Sequence, residues 1–333
     1  MDFDSGIFHF AASDESGGHA DVPVAAPLTV ALVGTFPPRH CGIATFTADV
    51  LEHTARHHPE IRFEVFALEE SETTRAYPAR VTPLRADDPA AYRAAAEAIN
   101  ASGADAVWVQ HEYGIFGGPD GAMVCDFVDR LAAPLVLTLH TVLSRPSEGQ
   151  RRILEHLLAR ASRVMVMSRH SRDLLVERYR AEPARLAVIE HGAPDRPFGG
   201  TAAAKAAQNI GERPVLMSFG LLGPGKGLEH VIDALPAILG RHPALMYRIV
   251  GATHPVLAAR EGESYREMLM ERARALGVSH AIRWENRFLD NEELLDRLEA
   301  CDIFVTPYPN LQQSTSGTLS YAVALGKAVV ATP

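Results

Sequence analysis

The sequence predicts an α/β protein built as two doubly wound parallel-sheet domains, and two observations carry that expectation. From Leu28 onward, short β-branched and apolar runs alternate with longer segments of helical period, the mark of consecutive βαβ units. After Pro197 the alternation lapses into Gly-Gly-Thr-Ala-Ala-Ala-Lys-Ala-Ala-Gln-Asn, small and polar with no core-forming period, and resumes at Val215. With 333 residues, 47% of them hydrophobic, the chain has material for two cores.

Taken in order, the strand-like runs of the first half are Leu28 to Gly34, Arg62 to Leu68, Ala104 to Gln110, Pro134 to His140, Arg163 to Ser168 and Leu186 to Glu190. Between them, Thr45 to His57 puts Phe46, Val50, Leu51 and Thr54 on one helical stripe, and Asp88 to Asn100 is alanine-rich and helix-forming. The second half offers Val215 to Gly220, Leu245 to Gly251, Ile282 to Asn286, Ile303 to Tyr308 and Ala328 to Thr332, again with helices between. The expected organisation is therefore a flexible tail over 1–26, a Rossmann-like domain over 27–197, a linker over 198–213 and a second Rossmann-like domain over 214–333. Loops at the carboxyl ends of both sheets would then face one cleft, where such folds bind ligands.

Composition narrows the function. A formal charge of −9 disfavours a nucleic-acid binder, which needs a basic face for phosphates. Cys41, Cys125 and Cys301 are odd in number and widely spaced, so they form neither a disulfide framework nor a zinc site, and a reducing cytoplasm fits best. No run approaches the roughly 18 apolar residues of a membrane span, and the N-terminus lacks a basic segment followed by an apolar one.

Five loops carry the polar groups. Gly220-Leu-Leu-Gly-Pro-Gly-Lys226-Gly227 follows a strand and opens a helix, which would aim free N–H groups, the dipole and the Lys226 charge at an anion. Taken alone, an ordinary glycine-rich turn with a solvated lysine is as good a reading, and the spacing is neither a Walker loop nor a dinucleotide fingerprint. Thr35-Phe-Pro-Pro-Arg-His-Cys-Gly-Ile-Ala-Thr-Phe also joins strand to helix, with Gly42 letting backbone approach a ligand. His140 ends a buried strand, and Gln110-His111-Glu112-Tyr113 ends the preceding one, bringing four polar groups to the same cleft. The last, from Tyr308 to Gly326, is a Ser/Thr/Gly loop opening an apolar helix, capped by Thr315 or Ser316 and offering N–H groups at Ser316, Gly317 and Thr318.

Together these motifs resemble the retaining glycosyltransferases of family 4, which have the GT-B fold, over residues 28–333. The likeness rests on Pro-Pro-Arg-His-Cys-Gly-Ile-Ala-Thr-Phe, the strand ending in His140, Ser168 after Val-Met-Val-Met, His191-Gly192 after a strand and the Gly-Lys226-Gly turn. It rests also on Asn291-Glu-Glu-Leu-Leu leading to Ala300-Cys-Asp302, and on Gly-Thr-Leu-Ser-Tyr-Ala-Val-Ala-Leu-Gly-Lys-Ala-Val-Val-Ala-Thr-Pro.

The resemblance implies a hexose moved from a nucleotide diphosphate sugar, of GDP-mannose or UDP-glucose type, to a sugar, lipid-linked or small-molecule acceptor with retention. No metal or resident cofactor is implied. Lys226 would contact the donor diphosphate, His140 the transferred sugar, and Gly42, Ser168 and Gly192 the donor. Arg287 and Phe288 would lie at the base, and His111, Glu112 and Tyr113 at the acceptor side or the floor of the sugar pocket. Peripheral association with a membrane stays compatible with this reading.

Three departures stand out. Leu221 replaces the family's usual arginine after the phosphate-strand glycine; the usual glutamate pair falls on Gln313 and Tyr321, as in a bacterial subgroup; and the sequence ends at Pro333, before the helices that normally close the second domain, so it reads as C-terminally truncated. An amide and a phenol still hydrogen-bond hydroxyls, but neither is a carboxylate. A nucleotide-sugar epimerase of the same fold and a non-catalytic nucleotide-sugar binding protein are the alternative functions.

Overall fold

The computed structural model describes residues 27–70, 75–309 and 316–332; the expected tail over 1–26 and Gln313 lie outside the described residues. The first half runs β1 (Leu28–Gly34), α1 (Gly42–His57), β2 (Ile61–Glu69), β3 (Val81–Arg85), α2 (Pro89–Ser102), β4 (Ala106–His111), α3 (Met123–Asp129), β5 (Leu135–Leu139), α4 (Glu148–Arg160), β6 (Arg163–Val166), α5 (Arg169–Tyr179) and β7 (Leu186–Val188). The second runs α6 (Thr201–Ala207), β8 (Val215–Phe219), α7 (Leu228–Leu239), β9 (Met246–Val250), α8 (Pro255–Glu261), α9 (Ser264–Ala275), β10 (Ile282–Glu285), α10 (Asn291–Glu299), β11 (Ile303–Thr306), α11 (Gly317–Ala324) and β12 (Ala328–Ala331).

The strands form two parallel sheets, ordered β3-β2-β1-β4-β5-β6-β7 and β10-β9-β8-β11-β12. Helices cover the faces, so the strands read as near-continuous apolar runs and Ala31, Leu32, Val33, Val107 and Val109 are wholly buried. Each large aliphatic side chain sealed this way contributes roughly 1.5–3 kcal/mol. The helices start and stop on local signals. In α2, Asp88 accepts from the Ala90 N–H, Pro89 occupies the first turn and Gly103 ends the helix at φ 72°. Ser147 and Gln150 close a reciprocal capping box on α4.

Strand order decides where a ligand can sit. It reverses between β1 and β4 in the first sheet and between β8 and β11 in the second. At such a point the crossovers leave to opposite sides, opening a crevice outside the carboxyl ends of the strands. The loops after β1, β4, β8 and β11 carry four of the five polar motifs, and His140 follows the neighbouring β5.

Two sequence expectations change. Strand β3 was not foreseen; it pairs only with β2, at the sheet edge, and contains Pro83, which an edge strand tolerates. The stretch 198–213 is not a featureless linker, since it contains α6. Ile210 and Ala204 pack with Val215, Met246 and Ala300 of the second sheet, while the buried Lys205 ammonium pairs with Asp302 at 2.5 Å and donates to the Arg213 carbonyl. Just before it, Arg196 binds Glu292, Asp296 and Glu299 around α10. Among the described residues no helix is long and apolar enough to cross a membrane.

Candidate active site

In the first sheet, the loop after β1 is anchored from within. Cys41 caps α1, its Sγ accepting from the Ala44 N–H at 3.3 Å and lying 3.2 Å from Thr35 Oγ1. Arg39 is held by Glu70 at 2.7 Å and by the Leu68 carbonyl at 3.2 Å. His40 reaches across the cleft to stack on Phe288 of the second half, ring centroids 4.5 Å apart and planes 2° from parallel. A Cβ on Gly42 or on Gly192 would meet no atom within 4 Å, so packing demands glycine at neither position.

The ends of β4 and β5 meet side by side. His140 Nε2 lies 2.9 Å from Gln110 Oε1, and its ring makes a T-shaped contact with Phe46 of α1, centroids 5.0 Å apart. Burial, then the neighbouring His191 and His111, push the His140 imidazole down to about 3, so it is neutral at working pH. Glu112 accepts from the Tyr113 N–H and from the Thr141 hydroxyl, and burial raises its carboxyl against those bonds. Tyr113 donates to the Gln150 carbonyl at 3.3 Å.

His111 has no exposed surface. It packs between Tyr113 and Phe116, with neither ring nitrogen bonded among the described residues, and stands behind the cleft rather than on its wall. Burial lowers its pKa to about 4. The folded state therefore holds fewer protons than the unfolded one between roughly pH 6.5 and 4, and stability falls as pH drops through that window. The shift corresponds to about 3 kcal/mol. Urea unfolding at pH 7 and pH 4.5 is expected to show a smaller acid loss in His111→Phe than in wild type, by about 2 kcal/mol; equal losses would contradict the neutral buried ring.

The phosphate-side groups belong to the second sheet. The loop after β8 turns at Gly220 (φ 139°) and closes at Gly227 (φ 60°), where a Cβ would strike the Pro307 carbonyl at 2.3 Å. On this turn Lys226 N donates to Gly223 O, Gly227 N to Pro224 O and Leu228 N to the Tyr265 hydroxyl, while the N–H groups of Leu221, Gly223 and Gly225 have no partner among the described residues. The loop also offers the Lys226 ammonium, 4.2 Å above the Tyr308 ring and without an ion pair among the described residues. Burial would raise the Tyr308 phenol, yet the Lys226 charge and the hydrogen bonds with Thr318, Lys226 and Thr306 bring it below its usual value.

Helix α11 supplies further donors beside the Lys226 turn. Ser316 caps it through the Leu319 N–H at 3.4 Å, while the N–H groups of Ser316, Gly317 and Thr318 have no partner among the described residues. Thr318 Oγ1 lies 2.9 Å from Ser316 Oγ and 3.5 Å from the Tyr308 hydroxyl. A Cβ placed on Gly220 would touch both Lys226 Nζ (3.7 Å) and Thr318 Cγ2 (3.9 Å), so the ammonium and this helix terminus are neighbours. Tyr321 points back to the first half: its phenol hydrogen-bonds Asp49 of α1, and burial followed by that carboxylate pushes it up to about 12.

His191 closes the other side, its ring 5.3 Å from Phe46 and 6.2 Å from Tyr321, with Nε2 so near Gly317 that a Cβ there would lie 2.9 Å away.

The structure thus brings Lys226, Ser316, Gly317, Thr318 and Tyr321 together on one wall, with Gly192 following His191, and His140, Glu112 and Gly42 on the facing loops. Ser168 is occupied as the cap of α5, bonded to the Ser171 N–H and hydroxyl. Arg287 donates two hydrogen bonds to the Glu293 carboxylate, both at 2.7 Å. The contacts add five neighbours to the site: Tyr308 beneath Lys226 and Phe46 against His140 within their own halves, and His40, Asp49 and His191 against Phe288, Tyr321 and Gly317 across the cleft.

Two facing Rossmann-like sheets with an anion-ready wall are the architecture of GT-B glycosyltransferases. Residues 41–195 match the model of Glycosyltransferase Family 4 and residues 201–333 that of Glycosyl transferases group 1, and the chain belongs to this glycosyltransferase family. Anabaena HepE, solved with UDP and glucose, superposes with a TM-score of 0.68 at 16% identity, covering 91% of this chain and 80% of that one. Among curated proteins, D-inositol 3-phosphate glycosyltransferases are 29% identical in Kribbella flavida (60% of this chain, 51% of that protein) and 30% identical in Corynebacterium efficiens (60% and 49%). The chain spans about half the length of these curated relatives.

Proposed function

We infer that the protein transfers a hexose from a nucleotide diphosphate sugar to a hydroxyl acceptor with retention of anomeric configuration, using no resident cofactor. The observation that carries this is the Lys226 ammonium, free of ion pairs among the described residues, beside the unoccupied N–H groups of α11. In the reaction the bond from C1 of the sugar to the donor's diphosphate oxygen breaks, and C1 forms a bond to the acceptor oxygen. The acceptor's proton passes to the departing phosphate from the same face. The growing charge is on the diphosphate, so a fixed cation and aimed N–H donors supply stabilisation where it is needed. With Leu221 beside it, Lys226 is the side-chain cation proposed for that group.

Neutral His140 is proposed to hydrogen-bond the transferred sugar, Gly42 and Gly192 to admit donor backbone contacts, Phe288 to lie against the base, and Tyr321 against the ribose. Ser168, Arg287 and Gln313 are further proposed donor contacts, the first two after exchange of their present partners. The acceptor would enter beside Glu112, with Tyr113 and His111 supporting that floor. The UDP complexes of HepE make a uridine diphosphate sugar the first donor to test beside GDP-mannose, and the inositol phosphate named in the curated relatives makes a phosphorylated polyol the first acceptor.

A ligand that binds only the folded state raises the melting temperature by mass action. A thermal-shift screen of nucleotide sugars should therefore single out one donor, and NMR of the product made from it should show the donor's anomeric configuration. An inverted product overturns retention; a donor that binds without transfer or hydrolysis makes this a binding protein; and donor converted without acceptor makes it an epimerase.

A further inference from the structure

Gln110 is wholly buried, at 0% exposure, yet its amide nitrogen has no hydrogen-bond partner among the described residues. An unpaired buried donor is destabilising, so this side chain is not placed for stability alone. Its seat is built nonetheless. A Cβ on Gly34, at the end of β1, would fall 2.9 Å from Gln110 Cβ and 3.1 Å from its Cγ, so the amide can lie where it does only because residue 34 is glycine. From there Oε1 sits 2.9 Å from His140 Nε2.

A carboxamide oxygen only accepts, so in this arrangement His140 Nε2 must carry the proton. A neutral imidazole has one N–H and one lone pair, which leaves Nδ1 as the acceptor. Nδ1 makes no hydrogen bond among the described residues, and the ring is only partly buried. The ring stands in a T-shaped contact with Phe46, and the His140 N–H donates to the His111 carbonyl at 3.0 Å, so both ring and backbone are oriented.

We propose that Gln110 is a positioning residue that locks His140 in its Nε2–H tautomer, so that Nδ1 accepts a hydrogen bond from a hydroxyl of the sugar being transferred. This deepens the transferase reading and rests on it only for the identity of the hydroxyl donor. A glutamine that merely filled space would be replaceable by methionine, of similar volume, with little change in His140 and no orphaned amide left behind.

The test is long-range 1H–15N correlation NMR of the full chain with 15N-labelled histidine at pH 7.5, with His140→Gln used to assign the His140 signals. Wild type should show a protonated Nε2 and a bare Nδ1. Gln110→Met should show a mixture of tautomers, a melting temperature equal to or above that of wild type, and kcat/KM for transfer lowered about tenfold. A wild-type ring protonated at Nδ1, meaning that the amide donates to Nε2 instead, overturns the proposal. So does an unchanged His140 in Gln110→Met. The wild-type spectrum is decisive even if the variant fails to fold. Absence of transfer in a wild-type protein with the Nε2–H ring counts against the transferase reading and supports the tautomer lock.

Discussion

Lys226→Ala is expected to lower kcat/KM for sugar transfer by about 100- to 1,000-fold, the range for removing one preorganised donor from a developing oxyanion. The size follows from the surroundings. The turn that presents Lys226 ties up the N–H groups of Lys226, Gly227 and Leu228 in internal bonds, Leu221 adds no charge, and the other donors are uncharged N–H groups of the turn and of α11. Because the ammonium rests on the Tyr308 ring and is not tied to a carboxylate, removing it leaves no buried anion unpaired. The variant should therefore fold normally, and Lys226→Arg should recover only part of the activity, since a guanidinium presents a different geometry. Steady-state kinetics with the donor found by thermal shift gives the comparison, and unchanged turnover would refute the assignment.

His140→Ala is expected to reduce transfer by roughly 10- to 100-fold, through the lost hydrogen bond and the misplacement of the sugar that follows. The cost to folding is separate: the substitution strands Gln110 Oε1 as well as its nitrogen, destabilising by about 1–3 kcal/mol. Circular dichroism should show a native spectrum with a melting point a few degrees lower. His140 stays neutral down to about pH 3, so the rate of wild type should carry no limb near pH 6.5 from this ring. Normal turnover in the alanine variant would make His140 a core histidine satisfied by Gln110.

Much of this architecture was legible because parallel strands buried on both faces leave continuous apolar runs; Leu28 to Gly34 and Ile303 to Tyr308 needed no tertiary information. The edge strand Val81–Arg85 was not, since one half-exposed side, a proline and charged neighbours erase that signature. Likewise, Thr201–Ala207 lacks a long apolar stripe and is a docked helix because Ala204 and Ile210 meet the second sheet. In the site, residues at strand ends next to glycine were visible as motifs. Invisible were the pairings that make them work, such as Tyr308 under Lys226, Asp49 against Tyr321 and Gln110 behind His140, because each joins residues between about 30 and 270 positions apart. A periodicity argument reports the neighbours of a residue along its own element, not across a cleft.

The expectation for the Lys226 turn changed most. Only part of its backbone is self-satisfied, and further N–H groups without a partner among the described residues lie at the start of α11. A charge from one loop and dipoles from another thus stand side by side on the wall formed by the second half.

Calorimetric titration of UDP, GDP, UMP and GMP into wild type and Lys226→Ala addresses that arrangement without requiring an acceptor. For the preferred base, wild type should bind the diphosphate at least about tenfold tighter than the monophosphate, and Lys226→Ala should abolish most of that gap, since each tenfold step is ~1.4 kcal/mol. Equal affinity for di- and monophosphates in wild type, or a gap that survives in Lys226→Ala, would contradict a donor diphosphate held by Lys226.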